Sequence, residues 1–493
     1  MKRPRYPSLL QINTRVWLAA RSRILGRAAT LDDVPDAELD SITSLGFDWV
    51  WLLSVWRTGP AGRKVAREHA GWRREFQATL PDLREDDIAG SGFAIAGYTV
   101  AEPLGGGPAL ARMRERLGSR GIRLMLDFVP NHTALDHPWV ESHPEYYVRG
   151  SELDLAREPR NYVWVKRAGG DRLLAHGRDP NFPGWPDTLQ LDYANPETQT
   201  AMRGELLEIA GQCDGVRCDM AMLVLPEVFE RTWGARAQPF WPEAIRAVRE
   251  RAPGFCLMAE AYWDLEWTLQ QQGFDYTYDK RLYDRLRAGV ARPVREHLMA
   301  ELDYQNKLAR FLENHDEPRA AATFASGQHQ AAALITFLAP GMRFLHQGQL
   351  EGRTVRISPH LIRAPEEPTN QELNHFYLRL LDLLRRPLVR EGRWRLLECA
   401  PAWEGNWTWD CFVAFAWEGE SAERLIVAVN YSDHASQCLA RLPFGDLAGR
   451  RWRLSDTLSD SVRDRDGEAL AGRGLDLELP AWGFSAPRLE AIR

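Results

Sequence analysis

The chain has 493 residues, of which 44% are hydrophobic and 26% are charged, and its formal net charge is −6. This balance is typical of a soluble globular protein with two or three domains, unless one large barrel takes most of the length. It argues against a nucleic-acid-binding protein, which would carry a strongly basic face, and no apolar run approaches the ~20 residues of a membrane helix.

The amino-terminal segment and the cysteines both indicate a cytoplasmic protein. The first residues are basic but contain no apolar stretch, so no signal peptide is predicted. The cysteines form no CxxC pair, which favours buried, reduced thiols. They are Cys213, Cys218, Cys256, Cys399, Cys411 and Cys438.

Short apolar runs alternate with longer amphipathic stretches as far as about residue 390. The eight runs are SLLQIN, FDWVWLL, RLMLDFV, DGVRCD, FCLMAE, FDYTY, ARFLEN and MRFLHQ. The helical patterns at 108–121 and 241–254 both close on a glycine, as helix ends commonly do. Strands that alternate with helices predict a parallel sheet, and eight of them predict an α/β fold of the (β/α)₈ TIM-barrel type.

Three segments depart from this rhythm and set the expected domains. A charged insertion, 57–97, follows the second run, and an aromatic-rich insertion, 133–188, follows the third. From residue 395 onward, short runs rich in β-branched and aromatic residues are separated by turn signals. We therefore expect a barrel over 1–132 and 189–394, a short inserted subdomain over 133–188, and a C-terminal β-sandwich domain over 395–493.

Polar residues cluster where the apolar runs end. In a parallel barrel the carboxyl ends of all strands meet at one mouth, so these side chains should share a pocket. They are Asp127, Asn131 and His132 after the third run, Arg217 and Asp219 in the fourth, Glu260 in the fifth, and Glu313, Asn314, His315, Asp316 and Arg319 after the seventh.

Each of these residues alone is more readily explained as structural, and Arg217 with Asp219 as a buried ion pair. Together they supply carboxylates, an arginine and histidines at four strand ends, without the HExxH, P-loop or dinucleotide-binding motifs of other enzyme classes. Paired carboxylates suit glycoside cleavage, in which one attacks or stabilises the sugar cation and the other protonates the leaving oxygen.

Four segments resemble the motif regions of the alpha-amylase family, glycoside hydrolase family 13. In chain order they are DFVPNH, GVRCD, AEAYW and ENHDEPR. GYTVAEPLGG at 97–106 and PGMRFLHQGQ at 340–349 are also similar to family segments and extend the likeness from about residue 8 to 350. The resemblance implies an α-glucosidase-like member with a (β/α)₈ barrel, a C-terminal β domain and retention of α-configuration.

The resemblance also implies roles for the polar residues at the mouth. Asp219 is the expected nucleophile, Glu260 the general acid and then base, and Asp316 the carboxylate that grips sugar hydroxyls and distorts the ring. Arg217 is expected to pair with Asp219 and keep it ionised. A retaining enzyme should hold the carboxyl groups of Asp219 and Glu260 about 5 to 5.5 Å apart.

The remaining assignments concern substrate binding and support. His132 and His315 are expected to hydrogen-bond the sugar, and Tyr98 to stack beneath it. Asp127 and Asn131 are expected to be structural near the site, and Arg319 either reaches the pocket or forms a salt bridge at its rim. No cofactor is required, and calcium binding is left open because no set of ligands can be identified. For Asn131, a hydrogen bond within its loop is favoured over a role as a calcium ligand.

One departure from the family pattern bears on the substrate. Starch-cleaving members often carry lysine and histidine three and four positions after the nucleophile, where this chain has Met222 and Leu223. We therefore expect an intracellular hydrolase of short α-glucosides or oligosaccharides, with no nucleic-acid or membrane partner. A retaining transglycosylase and a non-catalytic carbohydrate-binding or assembly barrel are the alternatives.

Overall fold

A computed structural model describes residues 4–420 and 423–492, and its central feature is a closed barrel of eight parallel strands. The strands follow one another round the barrel in chain order, and the first pairs with both the second and the last. The barrel predicted from the eight apolar runs is thus confirmed. The strands are β1 Ser8–Asn13, β2 Trp49–Leu53, β3 Arg123–Phe128, β4 Gly215–Cys218, β5 Cys256–Ala259, β6 Tyr276–Tyr278, β7 Leu308–Arg310 and β8 Met342–His346.

Helices connect the strands, and most of them are amphipathic and bury one face, whereas Gln328–Phe337 is buried almost all round. In Gly106–Gly118, for example, Ala109, Leu110, Met113 and Leu117 are buried at helical spacing. The main helices outside the insertions are Thr14–Leu25, Asp36–Ser44, Gly106–Gly118, Pro196–Gln212, Pro226–Trp233, Trp241–Arg251, Glu266–Gln271, Lys280–Ala288, Ala291–His297, Gln328–Phe337, Gln371–Leu384 and Pro387–Glu391. Among the described residues, none of the helices is long and apolar enough to cross a membrane.

The insertion after β2 packs on the long loop after β8, and we call residues 60–90 and 347–370 together the clasp. Its first part contains the helices Pro60–Glu68 and Ala70–Thr79. The two parts exchange backbone hydrogen bonds, and they share an apolar cluster that includes Phe76, Ile88 and Leu361. The sequence predicted the first part only as a charged insertion and did not predict this partner.

The insertion after β3 is built from two small antiparallel sheets. His132–Ala134 pairs with Thr188–Gln190, and Tyr162–Val165 pairs with Arg172–Ala175. Two short helices, Trp139–Ser142 and Glu152–Arg157, complete it. The aromatic residues of this insertion differ in burial: Tyr147 is buried in the main core, whereas Trp164 is 51% exposed.

The C-terminal region forms a seven-stranded and a three-stranded antiparallel sheet with an apolar cluster of its own. It docks on the barrel through alternate residues such as Trp417, whose indole N–H donates to Leu338 O at 2.8 Å. The predicted all-β character is confirmed, apart from the short helix Gly467–Gly472. The strands are Arg393–Leu396, Cys399–Ala400, Phe412–Glu418, Arg424–Asn430, Ser436–Ala440, Arg451–Asp456, Val462–Asp466, Leu475–Leu479, Phe484–Ser485 and Pro487–Ile492.

The six cysteines are free thiols, of which five are buried and Cys411 is partly exposed. This agrees with the expectation of reduced, mostly buried cysteines.

Candidate active site

Arg217 is the centre of the site at the carboxyl end of the barrel. Its Nη1 lies 2.5 Å from Asp219 Oδ1, and its Nη2 lies 2.7 Å from Glu260 Oε2. Asp316 Oδ2 lies 4.0 Å from the same Nη2. Because guanidinium does not lose its proton in proteins and presents a fork of donors, one fixed positive charge organises three carboxyl groups from three strands.

Aromatic rings surround the Arg217 guanidinium. The rings of Trp51, Phe93 and Tyr278 have their centroids 5.4, 5.3 and 5.6 Å from Cζ. Arg217 Nε also donates to the Tyr278 hydroxyl at 3.3 Å. With the side chain 1% exposed, these contacts exclude water from the cation, which strengthens its electrostatic interactions with the neighbouring carboxyls.

Glu260 is buried and contacts three polar groups, one through an ion pair and two through hydrogen bonds. Besides Arg217, the backbone N–H of Met220 donates to Oε2 at 2.7 Å, and the Tyr262 hydroxyl lies 2.8 Å from Oε1. Burial raises the pKa of Glu260 to about 8, against the lowering effect of Arg217 and with further raising by Asp219 and Asp316. Glu260 is therefore a protonated carboxylic acid at neutral pH, although it lies 2.7 Å from the Arg217 guanidinium.

Backbone strain follows directly after Asp219. Met220 has a φ of 42°, in the left-handed region that costs a residue with a side chain roughly 1–2 kcal/mol. This conformation turns the Met220 N–H toward Glu260. Such strain is characteristic of functional sites, where the surrounding structure holds it in place.

His315 and Asp316 form the opposite side of the site. The Gln11 amide nitrogen lies 2.8 Å from His315 Nδ1, and His315 Nε2 lies 3.1 Å from Asp316 Oδ2. Burial, with Arg217 as a second cause, holds the pKa of His315 well below its usual range, so the ring is neutral. Since the Gln11 amide nitrogen donates to Nδ1, the remaining proton lies on Nε2, which is close to Asp316 but has no hydrogen-bond partner within the described residues. The Asp316 side chain is 43% exposed and is thus open to a ligand.

Asp127, Asn131 and His132 lie at the end of β3, the strand that pairs with the Asp219-bearing strand β4. Asp127 is fully buried and accepts from the Trp51 indole and the Ser54 N–H, both at 2.9 Å. The carboxamide oxygen of Asn131 accepts from Gln190 at 3.0 Å, a loop hydrogen bond of the kind expected. Burial lowers the pKa of His132, whose ring lies 5.1 Å from the Trp185 ring.

Tyr98 and Arg319 are both engaged with protein groups. The Tyr98 hydroxyl donates to Val129 O at 3.1 Å and accepts from Val129 N–H at 2.9 Å, so it is committed to the loop after β3. Arg319 forms a 2.6 Å ion pair with Glu313 and donates to Gln347 O at 2.8 Å. Both members of that pair are buried, and the pair fastens the start of the loop after β8. Arg319 also lines a pocket beside His315, so its contact with the substrate stays a prediction.

Several residues beside the carboxylates had no predicted role. Phe93 stacks on His315 at 5.1 Å, and the Tyr262 and Tyr278 hydroxyls contact Glu260 and Arg217. Trp263 lies three positions after Glu260, is 37% exposed and has a φ of 60°. The sequence does carry a signal for Tyr262 and Trp263, which stand two and three positions after Glu260 in AEAYW, whereas Phe93 lies in the glycine-rich stretch GSGFAIAG.

Met222 and Leu223 lie in the short 3₁₀ helix Ala221–Val224, where they are 0% and 3% exposed. Side chains so buried cannot contact a leaving-group sugar in this structure. Within residues 4–420 and 423–492, no group of three or more His, Cys, Asp or Glu side chains is arranged to hold a metal ion.

Residues 36–375, more than half of the chain, match the family described as alpha amylase, catalytic domain. The chain belongs to the alpha-amylase family. This confirms the resemblance carried by the four motif segments, since all four lie inside the matched range.

Relatives within the alpha-amylase family share about a quarter of their residues with the chain over the matched parts. Identity to alpha-amylase MalA of Haloarcula japonica is 24% over 327 residues, covering 64% of this chain and 41% of that protein. Identity to trehalose-6-phosphate hydrolase of Escherichia coli is 24% over 337 residues, covering 58% and 59%. The chain therefore spans about half the length of these relatives.

A solved alpha-amylase structure supports the fold over nearly the whole chain. It is the noncanonic maltogenic alpha-amylase AmyB of Thermotoga neapolitana, with a TM-score of 0.71 at 17% identity. The match covers 99% of both chains, so the likeness includes the C-terminal sheets as well as the barrel.

Proposed function

We propose that the protein is a retaining glycosidase that cleaves α-glucosidic bonds of short α-glucosides through a covalent intermediate on Asp219. The observation that carries this proposal is the bridge formed by one guanidinium, which contacts Asp219 with one amino group and Glu260 with the other. A bridge of this size favours the short carboxyl separation, about 5 to 5.5 Å, that retention requires, rather than the ~6.5–9.5 Å that accommodates a water molecule between them.

In the first step of the proposed mechanism, Asp219 attacks the anomeric carbon of the glucosyl unit. Glu260 gives its proton to the glycosidic oxygen as the bond to the leaving group breaks. The products are a glucosyl ester on Asp219, a free alcohol and the Glu260 carboxylate. The pKa of about 8 supports this assignment because Glu260 then carries the proton before the reaction begins.

In the second step, the Glu260 carboxylate removes a proton from water, which attacks the anomeric carbon from the side the leaving group occupied. The ester bond to Asp219 breaks, glucose leaves with α-configuration, and Glu260 is protonated again. Asp316, His315 and His132 are assigned to the sugar hydroxyls. Asp316 is exposed, His315 lies beside it, His132 is within electrostatic range of Asp219, and both imidazoles are neutral groups that can donate and accept.

The preference for short substrates rests on two features beside the catalytic carboxylates. Met222 and Leu223 are buried and offer no polar group to a second sugar on the leaving-group side. The clasp brings Arg356 within electrostatic range of Asp316, so that the loop after β8 lies beside the substrate-facing carboxylate. Both features favour a small leaving group over a polymer chain.

The test is incubation of the pure protein with α-linked disaccharides and aryl α-glucosides, beside Asp219→Asn as the control. We expect glucose release by the wild type only, with the α-anomer appearing first by NMR. If the β-anomer appears first, the retaining assignment is wrong, and if wild type and control behave alike on every substrate, the glycosidase proposal fails. Dominant transfer to an added sugar acceptor would instead identify a transglycosylase.

A further inference from the structure

The two oxygens of Glu260 have different partners. Oε2 accepts the Met220 N–H at 2.7 Å and lies 2.7 Å from Arg217 Nη2 in an ion pair, so both of its neighbours are nitrogen atoms that carry hydrogens. Oε1 has a single partner, the Tyr262 hydroxyl at 2.8 Å. Nitrogen donors have no lone pair to accept a proton, so a hydrogen on Oε2 would point at other hydrogens. The acidic proton must therefore reside on Oε1.

We propose, building on the assignment of Glu260 as acid, that Tyr262 is a positioning residue that keeps the reactive proton on Oε1 and stabilises the carboxylate formed when that proton leaves. A tyrosine hydroxyl can do both because it accepts and donates. Before proton donation, Glu260 Oε1–H donates to the Tyr262 oxygen. Afterwards, the hydroxyl of Tyr262 rotates its own hydrogen toward Oε1, and the hydrogen bond reverses its direction.

The surroundings of Glu260 make Tyr262 important once Glu260 has given up its proton and carries a negative charge. The charged or titratable groups facing Glu260 are Arg217, Asp219, Asp316 and Tyr278, and two of these are carboxyls that oppose a negative charge on Glu260. Tyr262 supplies a neutral donor whose pKa is raised well above its usual range by burial, so the hydroxyl stays protonated throughout. The Oε1–Tyr262 hydrogen bond therefore favours the ionised form of Glu260.

The matched variants are Tyr262→Phe and Tyr278→Phe. Each substitution removes one tyrosine hydroxyl from the site. The Tyr262 hydroxyl hydrogen-bonds Glu260, whereas the Tyr278 hydroxyl accepts from Arg217 Nε at 3.3 Å. Thermal unfolding and circular dichroism establish that both variants are folded. The ionisation of Glu260 is then followed by infrared difference titration of its carboxyl C=O band, which Glu260→Gln identifies by removing it.

Tyr262→Phe is expected to raise the titration midpoint of the Glu260 carboxyl group by about one pH unit. A shift of this size is expected when a hydrogen bond to a charged group is lost. Tyr278→Phe should leave the midpoint in place. No shift, a downward shift, or an equal shift in both variants would overturn the assignment. Because the infrared band does not depend on turnover, this result is separate from the success or failure of the glycosidase proposal.

Kinetics provide the second readout. Tyr262→Phe should lower kcat about tenfold for aryl α-glucosides with poor leaving groups, which need the proton, and leave the 2,4-dinitrophenyl glucoside nearly unaffected. The alkaline limb of the pH–rate profile should move up together with the infrared midpoint. An equal loss on all leaving groups would indicate a merely structural role for Tyr262 and would contradict the proposal.

Discussion

Arg217 and Glu260 lie 2.7 Å apart, and Glu260 nevertheless keeps its proton at neutral pH. Burial raises the pKa of Glu260 more than the guanidinium lowers it, and Asp219 and Asp316 add to the rise. The contact with Arg217 therefore holds the Glu260 carboxyl group in place without ionising it. This arrangement allows one arginine to contact both the proposed nucleophile, Asp219, and the proposed acid, Glu260.

The first prediction follows from the pKa of about 8 for Glu260. Because the proposed acid must be protonated before the reaction begins, activity on glucosides with poor leaving groups should fall as the pH rises through about 8. The pH dependence of kcat/KM checks this for the free enzyme. An alkaline limb near pH 5 would show that Glu260 is ionised at neutral pH and would contradict its assignment as the acid.

Glu260→Gln should abolish this activity and make the protein more stable at neutral and alkaline pH. The folded pKa lies above the ordinary value of 4.5, so the stability that proton binding provides is complete below pH 4.5 and is lost as the pH rises toward 8. Glutamine stays neutral and avoids this loss.

The stability gap between Glu260→Gln and wild type should widen from pH 5 to 8, toward roughly a few kcal/mol, and then remain constant. Urea unfolding at several pH values measures it. A gap that narrows over this range would contradict the raised pKa.

Asp219→Asn should lower the pKa of Glu260 as well as remove the proposed nucleophile. The charge of Asp219 is one of the causes that raise the pKa of Glu260, while Arg217 stays in place to lower it. The Glu260 carboxyl band should therefore titrate at a lower pH in the variant, by infrared difference measurement against wild type. An unchanged midpoint would mean that the two groups are electrostatically independent, despite sharing the guanidinium of Arg217.

Met222→Lys and Leu223→His restore the residues that starch-cleaving members often carry, and we expect them to destabilise the protein rather than to confer polymer cleavage. Both positions are buried in the Ala221–Val224 turn, where a new charge or imidazole lacks a partner. The cost should be about 2–5 kcal/mol for Met222→Lys, measured by thermal and urea unfolding. A stable variant that degrades starch would show that the turn opens toward the substrate.

Arg363→Ala should loosen the clasp. Arg363 contacts Asp87 Oδ2 at 2.7 Å and Asp82 Oδ1 at 3.0 Å, and so joins residues 60–90 to the loop after β8. Hydrogen exchange should rise in both parts of the clasp while β1–β8 stay protected. Arg23→Ala is the matched control, since its ion pair with Glu366 is 50% and 88% exposed and should contribute little. Equal effects of the two variants would contradict the role given to Arg363.

Much of the fold could be predicted because the barrel strands are short, apolar and separated by helix patterns. The same logic located Asp219, Glu260 and Asp316, since a polar residue at the end of a buried strand is conspicuous. The clasp could not be predicted, because residues 347–370 contain no regular secondary structure and their partners lie about 270 residues earlier in the chain. Tyr262 could have been considered from its place in the AEAYW motif, whereas Phe93 could not, because an aromatic residue in a loop gives no sequence signal that separates a contact with a functional group from ordinary packing.

Closure of the barrel has a consequence for how the chain is made. β1 pairs with β8, and Arg343 in β8 donates to Tyr6 O at 2.5 Å and to Val389 O at 2.7 Å. During synthesis, more than 300 further residues are added after β1 before its partner β8 leaves the ribosome, and until then one edge of β1 is unpaired. Unpaired strand edges attract other chains, and non-local pairing is slow, so a product truncated before Met342 should aggregate rather than accumulate as a folded half-barrel.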